Sequence, residues 1–108
     1  MTVKEFAAQY GLTAVAMPDG ERDITGAYIG DLLSWVMGRA GSGDAWVTIM
    51  SNQNIVAVAT LADVACIILA EDVQPDEGVA ALAQQKGINL LCCSRSAYEI
   101  ALSLQNAL

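Results

Sequence analysis

The stretch AWVTIMSNQNIVAVATLADVACIILA, residues 45–70, decides the fold. Its opening AWVTIM combines β-branched and aromatic residues and predicts a strand over Ala45–Met50. The polar SNQN that follows caps a helix running from Gln53 or Asn54 to Ala62. CIILA, Cys66–Ala70, is a continuous apolar run of strand length, as expected of a strand covered on both faces. Strand, helix and strand with short connections make a right-handed βαβ unit, which places the two strands parallel.

The pattern continues downstream. Pro75 and Asp76 open a helix that runs to Gln85 and closes at Gly87. INLLCC, Ile88–Cys93, is the last strand, and Ser96-Ala-Tyr-Glu99 has capping-box spacing at the head of a terminal helix reaching about Asn106. Upstream, Thr2-Val-Lys-Glu5 is a second capping box, starting a helix over Val3–Tyr10 that ends at Gly11. LTAVAM, Leu12–Met17, reads as a strand stopped by Pro18-Asp-Gly20, and Ile24–Ile29 as another extended segment. Gly30-Asp31 then opens LLSWVMGRA, whose apolar surface is too wide for a solvent-facing helix and predicts a short, mostly buried one. The expected fold class is α/β, three layers (α/β/α) around a mainly parallel sheet of about five strands.

At 108 residues, 55% of them hydrophobic, the chain fits a single domain over residues 1–108, with no repeat and no linker to mark a boundary. Only 16% of residues are charged, against roughly 25% in an ordinary soluble domain, which favours an oligomer that covers apolar surface. The net charge of -7 and five scattered basic residues argue against a nucleic-acid partner. Met1–Tyr10 lacks the basic start and apolar block of an export signal, so the expected compartment is cytoplasmic, with reduced thiols. Ile55–Ala70, the longest apolar-dominated stretch, is broken by Thr60 and Asp63 and falls short of the roughly 20 residues a bilayer needs.

Absences narrow the chemistry. With no histidine, Ser-His-Asp and Cys-His catalysis and histidine metal sites are excluded. No GxxxxGK[ST] occurs, which excludes a P-loop. The glycines of GRAGSG, Gly38–Gly43, lie between a helix and a strand, the reverse of the order a dinucleotide site requires. No catalytic residue, cofactor or metal site is assigned.

Other residues remain candidates. Cys92-Cys93 could form a redox or metal pair, or pack as small hydrophobes on opposite faces of a strand. Asp19, Glu21, Asp23 and Asp31 could gather on a hard cation, although turn and cap chemistry explains three of them. Arg95 beside Ser96 at a helix start could meet an anion, or the pair could be a capping box with a solvated arginine. Trp35 and Trp46 flank the glycine-rich turn and are candidates for either core or interface.

The run Arg22-Asp-Ile-Thr-Gly-Ala-Tyr-Ile-Gly-Asp-Leu-Leu-Ser-Trp-Val-Met37, followed by Gly43-Asp-Ala-Trp-Val-Thr-Ile49 and Asn54-Ile-Val-Ala-Val-Ala59, resembles the DRTGG domain family over essentially the whole chain. Where that family carries Asp-Arg-Thr-Gly-Gly, this chain reads Arg22-Asp23-Ile24-Thr25-Gly26-Ala27 and keeps only the Thr-Gly. The resemblance implies a fold similar to the N-terminal domain of HPr kinase/phosphorylase, without its catalytic P-loop domain. It also implies a regulatory or dimerising role, as beside CBS pairs or ahead of phosphotransacetylase domains. For stand-alone copies it implies a protein partner in a signalling or hydrogenase-related pathway.

Three functions are therefore weighed. The first is a stand-alone, non-catalytic regulatory or interaction module acting as a homodimer, with Tyr28, Leu32, Trp35 and Trp46 at the interface. The second is a nucleotide or anion sensor using Thr25, Gly26, Asp31, Arg95 and Ser96. The third is a thiol-based redox protein using Cys92 or Cys93.

Overall fold

A computed structural model describes residues 1–108. Ten elements follow one another as α1 (Val3–Tyr10), β1 (Thr13–Ala16), β2 (Gly26–Ile29), α2 (Leu33–Arg39), β3 (Asp44–Thr48), α3 (Asn54–Ala62), β4 (Cys66–Leu69), α4 (Val79–Lys86), β5 (Leu90–Cys92) and α5 (Ala97–Ala107). The strands form one sheet in the order β1-β5-β4-β3-β2. Neighbours from β2 to β5 run parallel, and β1 pairs antiparallel with β5. The α/β class and the mainly parallel five-stranded sheet are as expected.

Period-two alternation divides the core between two faces. Trp46, Ile67, Leu69, Leu90 and Cys92 point to one side, where α2, α3 and α4 add Val36, Ile55, Val79 and Ala83. Ala45, Val47, Cys66, Ile68 and Leu91 point to the other, where α1 and α5 add Val3, Phe6, Ile100 and Leu104. Every residue of β4 is buried, which is why that strand needs an unbroken apolar run. Each such Ile or Leu contributes about 1.5–3 kcal/mol, so the centre of the sheet outweighs any single surface contact.

Because β1 and β2 lie at opposite edges, the chain from Met17 to Thr25 crosses beneath the N-terminal ends of the parallel strands. Asn89 holds the crossing in place. Its buried amide accepts from Asp19 N–H (2.9 Å) and donates to the carbonyls of Asp19 (2.8 Å) and Ala65 (2.9 Å). Such pairing removes the cost of burying a polar side chain.

Both capping boxes form, Thr2 with Glu5 and Ser96 with Glu99. The fourth helix differs from expectation, beginning at Val79 and not at Pro75. Asp76 is held by the chain before α3: its carboxylate accepts from Ser51 Oγ (2.8 Å) and its N–H donates to Ser51 O (2.9 Å). Residues 70–78 therefore form a loop beyond the end of β4, and that loop borders a crevice described below. No helix is long and apolar enough to cross a membrane.

Candidate functional site

Thr25-Gly26 lies at the N-terminal ends of β2 and β3, where it locks a turn. Thr25 N–H donates to Gly43 O (2.9 Å), and Gly41 N–H donates to Asp44 Oδ2 (2.7 Å). A Cβ on Gly26 would come 2.5 Å from Asp44 Oδ1, while one on Gly43, at φ +85°, would run into Thr25 Oγ1. The bare Gly26 and Gly43 thus make room for the Asp44 carboxylate and the Thr25 side chain respectively. Beside it, Arg22 Nη1 donates to Asp63 Oδ1 (2.8 Å), Arg22 Nη2 to Asp63 O (2.7 Å) and Ser42 Oγ to Asp63 Oδ2 (2.6 Å). The hydrogen bond from Arg22 holds the Asp63 carboxyl below its usual range. This network joins residues 41 positions apart, and nothing local in the sequence signals it. Substituting Gly26→Ala forces the Asp44 carboxylate off Gly41. The expected loss is about 1–3 kcal/mol, read as a lower urea midpoint.

The five residues expected to hold a ligand are not brought together. Thr25 and Gly26 sit at one end of the sheet, whereas Arg95 and Ser96 follow β5 at the other, three strands and roughly 14 Å across. Asp31 follows β2 at the second end, so it does not converge with Asp19, Glu21 and Asp23, which lie in the crossing. Arg95 Nη2 donates to Tyr10 O, in the last turn of α1 where a helix presents its unpaired carbonyls, and Nη1 to Ser103 Oγ (3.4 Å). The Ser96 hydroxyl accepts from Glu99 N–H (3.2 Å).

Thiol chemistry finds little support. Burial pushes the Cys66 thiol up to about 12, and burial, then Cys93 and Asp72, raise that of Cys92. Both are held as thiols rather than nucleophilic thiolates at neutral pH. Cys92 and Cys93 do face opposite sides of the sheet.

At the β2 edge, the two tryptophans part company. Trp46 is fully buried and its Nε1–H donates to Gly30 O (2.9 Å), so it is a core residue and cannot serve the interface for which it was a candidate. Trp35 is 52% exposed. The expectation of a mostly buried α2 is also overturned, for only Val36 is fully buried and Leu33 partly so. The helix lies over the last strand of the sheet with a helical neighbour, α3, on one side only. Its remaining apolar side chains, Trp35 and Met37, are exposed on opposite flanks of the helix, and Leu32 is exposed on the flank of Trp35. Ile29, also exposed, alternates with Tyr28 and so faces the other side of the sheet. Tyr28 packs partly against the core.

Polar groups fix this surface. Asp31 Oδ1 accepts from Thr48 Oγ1 (2.8 Å) and Ile49 N–H (3.0 Å), which anchors the start of α2 to the end of β3. The Arg39 guanidinium stacks 3.8 Å above the Trp35 ring. Sequence reasoning named Tyr28, Leu32 and Trp35 and counted Met37 in the apolar surface of this segment, but missed Arg39 and Ile29, the latter exposed because β2 is an edge strand.

Comparison with known proteins bears on the same region. No curated protein matches the chain. The CBS and DRTGG domains of the regulatory region of Clostridium perfringens pyrophosphatase, solved in complex with the activator diadenosine tetraphosphate, have a similar fold, with TM-score 0.76 and 11% identity. The match covers 99% of this chain and 47% of that one, so the chain spans about half of that regulatory region. The family profile described as "DRTGG domain" matches residues 26–107, from the first residue of β2 to the last of α5. With more than half of its length matched, the chain belongs to the DRTGG domain family.

Proposed function

We propose that this chain is a non-catalytic regulatory module that acts in the cytoplasm as a homodimer, paired through α2 and the free edge of β2. The observation that carries the reading is the exposed flank of α2, where Leu32 and Trp35, three positions apart, are both about half exposed on the helix that follows the edge strand β2. Isolated exposed apolar residues are ordinary, whereas two large ones on one flank of a helix, next to an unpaired strand edge, favour a partner. A similar pair, Tyr98 and Leu102 on α5, lacks the strand edge.

A second copy suits this surface because its charges are self-complementary. Asp31 lies before the N-terminus of α2 and Arg39 in its last turn, eight positions and about 12 Å apart, with Trp35 midway. A twofold axis near Trp35 sets two α2 helices antiparallel. It stacks indole on indole and brings each Asp31 toward the other copy's Arg39, the reciprocal pattern of an isologous contact. Antiparallel helices also align their dipoles favourably. Support for a regulatory role comes from the family and from the fold shared with a pyrophosphatase regulatory region.

The charge pairing has its own test. Arg39→Glu sets like charges against each other at both ends of the contact and is expected to raise the dimer dissociation constant roughly tenfold at low salt, less at high salt. Sedimentation equilibrium at two ionic strengths reads this effect. An unchanged constant at low salt contradicts the antiparallel arrangement.

A further inference from the structure

The sheet has a second feature that the dimer does not use. After β4 the chain passes to α4 on one face, and after β5 to α5 on the other. Adjacent parallel strands whose connections diverge leave a crevice beyond their C-terminal ends, the usual ligand position in open α/β sheets. A cavity of about 410 Å³ lies there, lined by Thr13, Asp72, Gln74, Cys92, Ser94 and Arg95 among others. It falls within the size range of small-molecule sites.

The walls are held in place. Glu71 N–H donates to Arg95 O (2.8 Å) and Asp72 N–H to Cys93 O (2.9 Å), joining the loops after β4 and β5. Glu71 and Asp72 are both left-handed, at φ 61° and 62°, a conformation that costs energy in non-glycine residues and persists where surrounding contacts impose it. The polar inventory then defines what fits. The Arg95 guanidinium is engaged by Tyr10 O and Ser103, and Asp72 adds a negative charge. A free phosphate would therefore meet little uncommitted positive charge. The carboxylate of Asp72 and the hydroxyls of Thr13 and Ser94 make no hydrogen bond within the chain, and Asp72 can only accept. Cys92 supplies an uncharged, polarisable lining.

We infer that this crevice binds an uncharged ligand carrying a vicinal diol, of nucleoside or sugar type, with the diol donating both hydroxyls to Asp72 and with Ser94 and Thr13 beside it. Such a bidentate contact is geometrically selective. The inference stands apart from the dimer, since the crevice and α2 lie at different strands of the sheet.

The test is calorimetric titration of the full chain with adenosine, ribose, 2′-deoxyadenosine and inorganic phosphate. Adenosine is expected to bind, and 2′-deoxyadenosine roughly tenfold or more weaker, through loss of one charge-assisted hydrogen bond. Asp72→Asn should weaken adenosine by a similar factor with an unchanged melting point, because asparagine tolerates the left-handed backbone at this position. Ser94→Ala is the second variant, expected to weaken binding without touching Asp72. Ribose binding as tightly as adenosine identifies the diol source as a free sugar and supports the site. Failure of both adenosine and ribose to bind at millimolar concentration overturns the inference. Equal binding of 2′-deoxyadenosine and adenosine, or displacement of adenosine by phosphate, overturns it too.

Discussion

Trp35→Asp is expected to leave a folded monomer at concentrations where the native chain is paired. The substitution places a carboxylate from each copy at the centre of an apolar contact and removes the largest side chain there. Central aromatic residues contribute about 2–4 kcal/mol when truncated, so the dissociation constant should rise roughly 30- to 1000-fold. Folding should be nearly untouched at concentrations where both proteins are monomeric, because Trp35 is half exposed in the single chain and surface changes stay within about 0.5 kcal/mol. Analytical ultracentrifugation and a urea titration, run on the same preparation, separate the two effects. A variant that still pairs with native affinity places the interface elsewhere.

Trp46→Ala is expected to do the reverse. Its indole is fully buried between α2, α3 and the sheet, and Nε1 satisfies Gly30 O. Truncation leaves a cavity and an unpaired carbonyl, at a cost of about 3–5 kcal/mol. That is a large share of the roughly 5–15 kcal/mol available to a domain of this kind, so the melting point should fall by at least about 12 °C. Trp46→Phe keeps most of the packing and loses the hydrogen bond, for an intermediate loss of about 1–3 kcal/mol. Thermal melts of the three proteins check the order. Equal stability of Trp46→Ala and the native chain would contradict the core assignment.

The contrast between these two residues shows how far the sequence could be read. Strand and helix identities were legible because local patterns carry them: the apolar run of Cys66–Leu69, the capping boxes at Thr2 and Ser96, and the left-handed glycines Gly11 and Gly87 at helix ends. The sides of Trp35 and Trp46 were not, because sheet order decides them. β3 is interior and β2 is an edge, a distinction that arises only when the first strand joins β5 and leaves β2 with one neighbour. The excess of apolar residues on the α2 segment was visible, yet it was equally compatible with burial inside the chain or between chains.

The same logic explains the ligand candidates. Thr25-Gly26 stood out as a motif, but the reason for its composition is the approach of Asp44 and Gly43 from another turn. Arg95 and Ser96 were visible at a helix start, whereas the loop that completes the crevice around Asp72 and Gln74 lies some twenty residues earlier and packs against them only through the β4–β5 pairing. Start of α4 at Val79, three residues after Asp76, lengthens that loop, and it follows from a side-chain bond to Ser51 that no periodicity reports.

The central claim is that two copies pair through α2, and the most direct measurement is native mass spectrometry of the untagged chain alongside Trp35→Asp. The account predicts twice the chain mass for the native protein and the single chain mass for the variant, with both giving the same folded charge-state envelope. A native protein that remains at the single chain mass across micromolar concentrations, or a variant that stays paired, would contradict it.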